Sequence, residues 1–226
     1  MTAQPAGVHS QTAPATMRAA VIQGPQQISI EAITRPQPSP TQVRVRIEGC
    51  GVCASNLPLW EGRAWFDYPM KAGAPGHEAW GTIDAIGENV TDLTTGDRVA
   101  LLSYNAYAEY DLAEAGAVVR LPSALASVPF PGEPLGCAMN VFARSHIEPG
   151  QTVAVVGVGF LGAILTRLAA TRGARVIAIS RRPFALDMAR AMGAAETLEM
   201  SDHYEIIRQV MNLTEDRGCE LVIEAV

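Results

Sequence analysis

The sequence predicts an α/β protein with a β-rich first half and a second half built as an incomplete doubly wound parallel sheet. Three observations carry this reading. Short apolar runs separated by turn residues fill positions 17–121. From Thr152 onward, apolar strand-like runs alternate with helical patterns. Between the first run and the first helix of that second half stands Gly157-Val158-Gly159-Phe160-Leu161-Gly162.

The elements follow in order. Residues 1–16, rich in Ala, Gln, Thr and Pro, read as a disordered tail and lack the basic start and apolar core of a signal peptide. Strands are expected at 17–23, 27–34 and 42–49, where Val43, Val45 and Ile47 alternate with Arg44 and Arg46. Residues 79–86 and 97–102 continue the pattern, with turn signals at 87–89 and 95–96. Short strands at 108–111 and 118–121 complete it. Turns rather than crossover helices join these runs, so residues 17–145 form a compact barrel-like domain. Residues 135–147 have helical spacing, and Pro149 and Gly150 end it. The second domain, 146–226, then reads as strand 152–156, helix 160–172, strand 175–179, helices 183–192 and 203–212, and strand 219–225. A complete dinucleotide-binding sheet has six strands in two halves. The sequence supplies the first half and one more strand, so the chain reads as C-terminally truncated.

The glycine run has a mechanical reading. Gly157 allows the tight turn, Gly159 lets the backbone approach a pyrophosphate, and Gly162 lets the helix pack on the strand. The backbone of Val158, Phe160 and Leu161 completes the loop, and the helix N-terminus offers free N–H groups to phosphate. An NAD site usually ends the second strand with Asp or Glu, which binds the ribose 2′-hydroxyl. Here Ser180, Arg181 and Arg182 stand in that place. No carboxylate repels a 2′-phosphate and two guanidiniums are available to bind one, so the cofactor expected is NADP(H). The alternative is a solvated basic loop.

Composition narrows the function. The chain has 226 residues, 48% of them hydrophobic, which is ample for a sizeable core. The net charge of −6, with no basic stripe, argues against nucleic acid and membrane surfaces as partners. The longest apolar stretch, 153–165, is too short and too Gly-rich to span a bilayer. Cys50, Cys53, Cys137 and Cys219 accompany no export signal and read as thiols or metal ligands in a cytoplasmic protein. Cys50 and Cys53 have the spacing of a redox pair but lack the strand-to-helix context of one.

Three segments carry reactive side chains. Residues 51–56 include Cys53 and Ser55, residues 75–81 include His77 and Glu78, and residues 133–137 include Glu133 and Cys137. Thiol, imidazole and carboxylate make the mixed donor set that a catalytic zinc takes while keeping one position open. Periodicity does not place the three segments together. Trp60, Trp65, Phe66 and Tyr68, between Cys53 and His77, read either as packing under a long loop or as a wall of a substrate pocket.

The order of these motifs resembles the zinc-containing medium-chain alcohol dehydrogenase family. It carries Gly51, Cys53 and Ser55, then Gly76-His77-Glu78 and Gly81, then Gly87, Val90 and Gly96-Asp97-Arg98-Val99, then Glu133-Pro134-Leu135, Pro149-Gly150 and the glycine run. The resemblance implies a GroES-like barrel followed by a Rossmann domain. It implies one catalytic Zn2+, with Cys53 and His77 as ligands and Glu133 in the place of the third, for which Cys137 is the rival. It also implies that Glu78 either binds the metal or supports its ligands, and that Ser55 hydrogen-bonds the alcohol oxygen and passes its proton onward. Three departures stand out. Asn56 replaces an Asp that would orient the ligating His, Pro58 replaces a relay His, and the four-cysteine structural-zinc lobe is missing. The expected function is a zinc-dependent oxidoreductase moving a hydride between NADP(H) and a small-molecule alcohol or polyol, or the matching ketone or aldehyde. The full-length form is expected to be a homo-oligomer. The alternatives are a zinc-free quinone or enoyl reductase of the same superfamily, and an inactive truncated remnant that binds nucleotide.

Overall fold

The structure is a computed structural model that describes residues 15–226. Of the expected tail at 1–16, residues 1–14 lie outside the described residues, whereas Thr16 already pairs with Thr34.

The first unit, Met1–Glu133, is antiparallel throughout. Strands β1 (Thr16–Gly24) and β2 (Gln27–Thr34) form a hairpin. Strands β3 (Gln42–Gly51), β4 (Glu78–Ile86), β5 (Arg98–Leu101), β6 (Tyr110–Glu114) and β7 (Val118–Arg120) form a five-stranded sheet in the order β6-β3-β4-β5-β7. A bridge between Ala19 and Ala108 ties the hairpin to this sheet. The short helix α1 (Leu57–Trp60) follows β3. Val43, Val45, Ala79, Ile83, Val99 and Leu101 fill the core, as the alternation in β3 predicts. The same alternation sends Arg44 outward, but Arg44 is also buried. Asp84 accepts from its guanidinium at 2.8 and 3.1 Å, and the carbonyl of Pro36 accepts a further bond. A buried guanidinium is tolerated because nearly every donor is used.

The second unit, Pro134–Val226, takes in most of helix α2 (Gly132–Ser145), so the division falls ahead of residue 145. It then alternates β8 (Thr152–Val156), α3 (Phe160–Arg172), β9 (Arg175–Ser180), α4 (Pro183–Met192), β10 (Glu196–Glu199), α5 (His203–Leu213) and β11 (Leu221–Glu224). All pairings are parallel, in the order β10-β9-β8-β11. Numbered within this unit, that is the 3-2-1-4 order of a dinucleotide-binding sheet. Val153, Val155, Val176, Leu165, Ala169 and Ile223 make the main core. Gly173 and Gly193, both left-handed, end α3 and α4, and Asp202 caps α5 by accepting from the N–H groups of Tyr204 and Glu205. Among the described residues, no helix is long and apolar enough to cross a membrane.

Strand β10 is absent from the sequence expectation. Its four residues, Glu-Thr-Leu-Glu, carry a charge at each end and one β-branched side chain. Nothing in that run signals a strand. It pairs on only one side, with β9, so the sheet and not local propensity makes it a strand.

The glycine run shows why its third member is small. A Cβ on Gly162 would stand 2.0 Å from the Gly157 carbonyl oxygen. Gly162→Ala must therefore push the loop off the helix. It is expected to cost about 1–3 kcal/mol, typical of overpacking, read as a drop in the denaturation midpoint. An unchanged midpoint would show that the loop yields freely.

Candidate functional site

Strand register assembles the first site. Gly51, the last residue of β3, pairs with Glu78, the first residue of β4. Cys53 lies just beyond the end of one strand, and His77 just before the start of the other. Three donor atoms, one each from Cys53, His77 and Glu78, consequently lie within 4.8 Å of one another. Ligand atoms around a tetrahedral zinc stand roughly 3.3–3.8 Å apart, given bonds of about 2.0–2.3 Å. The cluster fits such an ion with small adjustments. The chemistry of the set agrees: sulfur, nitrogen and oxygen make three donors, one fewer than a tetrahedral zinc takes. Glu78 is buried, yet its carboxylate has no hydrogen bond or ion pair among the described residues. Glu133 lies in the first turn of α2, and Cys137 follows one turn later on the same helix.

The orientation of His77 follows from one contact. Its Nδ1 lies 2.7 Å from the Pro75 carbonyl oxygen. A carbonyl only accepts, so Nδ1 carries the proton and Nε2 keeps the lone pair that a metal needs. A backbone oxygen thus does the work of the absent carboxylate at position 56. Asn56 turns elsewhere: its Nδ2 donates to the Tyr107 hydroxyl at 2.7 Å. Ser55 is exposed, and its hydroxyl donates to Asn56 Oδ1 at 3.5 Å. Glu78 fits because Gly51 has no side chain, since a Cβ there would stand 2.0 Å from Glu78 Oε2. Cys50 stays out of the cluster. Burial pushes its thiol up to about 11, and it donates to the Gly51 carbonyl at 3.4 Å. It is a protonated packing group, and the Cys50–Cys53 pair is not a matched dithiol.

Two neighbours have no counterpart in the sequence reading. Tyr107 touches both ends of the Cys53 segment, and the exposed Tyr104 ring lies 6.5 Å from the His77 ring. Both fall in the stretch 100–107, which offers a sequence reader only missing cysteines. Of the aromatic loop, Trp65 is 71% exposed and its ring stands 6.0 Å from that of Phe66. Tyr68 is tied inward by donating to the Leu59 carbonyl.

The second site lies at the C-terminal ends of β8 and β9. Gly157 has φ +90°, which L side chains rarely adopt. Gly159 caps α3 with no side-chain oxygen, and a Cβ built on it meets nothing within 4 Å. Val158 and Gly162 are buried, Leu161 is half-buried, and Phe160 is exposed. The start of α3 therefore carries no side chain at Gly159 that would block an anion approaching its N–H groups. Ser180 ends β9 and is buried. Arg181 and Arg182 are exposed, and neither guanidinium has a hydrogen bond or ion pair among the described residues.

Comparison with known proteins agrees with this architecture. The model of the alcohol dehydrogenase GroES-like domain matches residues 39–123, and that of the zinc-binding dehydrogenase domain matches residues 161–226. Sorbitol dehydrogenase of Bacillus subtilis strain 168 is 25% identical over 245 aligned positions, covering 94% of this chain and 69% of the relative. An alcohol dehydrogenase of Geobacillus stearothermophilus is 30% identical over 215, covering 79% of this chain and 62% of the relative. The chain thus spans about two thirds of the length of these relatives. A solved structure from Sinorhizobium meliloti 1021, described as a zinc-binding dehydrogenase bound to NADP, superposes with a TM-score of 0.78 at 24% identity, covering 94% of this chain and 70% of that one. With the two domain matches in their proper order on a GroES-like unit and a Rossmann-like unit, the chain belongs to the zinc-type medium-chain dehydrogenase family.

Proposed function

We propose that this chain belongs to a zinc-dependent oxidoreductase that transfers a hydride between NADP(H) and an alcohol or polyol, or the matching ketone or aldehyde. The observation that carries the reading is the convergence of Cys53, His77 and Glu78 on one point. Zinc held there supplies a Lewis acid for the substrate oxygen, and the nicotinamide exchanges the hydride. The chain's own groups set the terms. Pro75 fixes the tautomer of His77. The Ser55 hydroxyl contacts Asn56 Oδ1 at 3.5 Å, which leaves its oxygen lone pairs to accept a hydrogen bond from an alcohol hydroxyl. The backbone at Gly157, Gly159 and Gly162 holds the pyrophosphate. Polyols enter the reading because sorbitol dehydrogenase is among the relatives. A screen of simple alcohols, polyols and sugars with NADP+ checks the substrate class.

The zinc reading has a direct test. Elemental analysis should find about one zinc per chain in the wild type and a large loss in Cys53→Ser. Glu78→Gln should weaken zinc binding by about tenfold or more, and Glu133→Gln by less, because Glu78 is the carboxylate in the cluster. The reverse order would make Glu133 the third ligand. Two zincs per chain, or full retention in Cys53→Ser, would remove the assignment.

Cofactor choice rests on Ser180, Arg181 and Arg182. A charge-assisted hydrogen bond to the 2′-phosphate contributes about 1.5–3 kcal/mol. One such bond gives roughly a tenfold or larger preference for NADP(H), since about 1.4 kcal/mol is a factor of ten. Ser180→Asp combined with Arg181→Ala should reverse it, by repelling phosphate and accepting from the 2′-hydroxyl. The dissociation constants of both cofactors for both proteins decide the point. Equal affinities in the wild type would make the arginines a solvated loop.

A further inference from the structure

We propose that Tyr107 is a positioning residue for the metal centre, holding the Cys53 segment against the frame that carries His77. The inference rests on the zinc reading above. It starts from how little else holds that segment. The turn 54–56 buries no residue, Val52 is 79% exposed, and Ser55 faces solvent. Beyond β3 itself, Tyr107 is the one side chain from outside the segment that hydrogen-bonds to residues 51–56 among the described residues. It grips both ends. Its hydroxyl donates to the Gly51 carbonyl at 3.2 Å and accepts from Asn56 Nδ2 at 2.7 Å. Cys53 lies between those two points.

The direction of each bond follows from the carbonyl. Gly51 oxygen only accepts, so the Tyr107 hydrogen points to it. The Tyr107 oxygen is then left to accept, and only the amide nitrogen of Asn56 offers a hydrogen there. That orientation turns Asn56 Oδ1 toward Ser55, whose hydroxyl donates to it. One hydroxyl thereby sets the polarity of a chain of contacts that reaches Ser55. Burial pushes the Tyr107 phenol up to about 12, in keeping with a hydroxyl that donates. An Asp at position 56 could not take part in this arrangement, because a carboxylate has no hydrogen to give. Asn56 and Tyr107 therefore form a matched pair.

The backbone of Tyr107 is held on the other side. Its N–H donates to the Gly73 carbonyl at 3.0 Å, its carbonyl accepts from Ala20 at 2.8 Å, and the adjacent Ala106 donates to the Gly76 carbonyl at 3.0 Å. Gly76 directly precedes His77. The loop that orients the imidazole and the segment that presents the thiol thus meet at one residue.

The test uses Co2+ in place of zinc, titrated into the 226-residue chain, with the thiolate-to-cobalt absorption as readout. Tyr107→Phe should weaken Co2+ binding by about 10–100-fold, the usual effect of losing a group that supports a ligand, and should alter the thiolate band. The thermal midpoint of the metal-free protein should stay near wild type. Unchanged affinity with an unchanged band overturns the proposal. If Tyr107→Phe also collapses the metal-free midpoint, Asn56→Ala, at the other end of the same bond, decides: about a tenfold loss supports the proposal and no loss overturns it. The wild type and Cys53→Ser separate the two possible failures. If the wild type takes up no Co2+, or Cys53→Ser takes it up equally, the zinc reading itself falls and this inference with it.

Discussion

The pairing of Gly51 with Glu78 is the contact on which the first site depends. Antiparallel strands bring the end of one against the start of the next. Whatever follows β3 must therefore lie near whatever precedes β4. Cys53 and His77 occupy those two positions, although 24 residues separate them along the chain (77 minus 53). A slip of one residue in this register would turn Glu78 to the other face and dissolve the cluster. The register is held by the buried side chains Val43, Val45, Ala79 and Ile83 and by the bidentate Arg44–Asp84 pair, so the core of the unit sets the geometry at its edge.

The second unit obeys a different constraint with the same logic. Strand β8 has neighbours on both sides: the chain runs from β8 to β9 to β10 in one direction and then returns to place β11 on the other. Ligands in such sheets bind where the order reverses, beyond the carboxyl ends of the strands. The glycine loop leaves β8 at that point. A Cβ on Gly157 would meet the Ala225 backbone at 2.8 Å, just past β11, so the returning strand helps to fix the conformation of the loop.

How far the sequence could be read depended on the kind of signal. The fold was legible because periodicity and ordered glycines are local, and strands β1 to β5 together with β8, β9 and α3 to α5 sit close to where alternation and capping residues put them. Strand β10 was not legible, since its neighbour rather than its residues makes it a strand. The residues of the candidate metal cluster could be named from motifs, but their convergence could not, because it is a property of register. Nor could the partner of His77 be found. The sequence offered Asn56 as a weakened substitute for a carboxylate, whereas the ring is served by the Pro75 carbonyl, and a backbone oxygen leaves no mark on residue identity. Tyr107 escaped for a related reason: a tyrosine near a strand end reads as packing until both of its hydrogen-bond partners are known.

The two halves of the metal cluster are not equally prepared. His77 and Glu78 stand at the head of a strand in the middle of the sheet, and their backbone is fixed before any ion arrives. Cys53 stands on an exposed turn with no buried residue of its own. Ordering a chain segment costs about 1–2 kcal/mol per residue, and the half-burial of Cys53 and Asn56 offsets only part of it. Hydrogen bonds must offset that cost, and a metal bound at the candidate cluster would offset more of it, which would make metal affinity and local order one quantity. A group that holds the segment in advance raises the affinity without touching the ion, because less order remains to be imposed on binding. The same reasoning explains why a neutral Asn is compatible with the site. Asn56 reaches the Tyr107 hydroxyl through a hydrogen it donates, and for that contact a hydrogen to donate matters more than a charge.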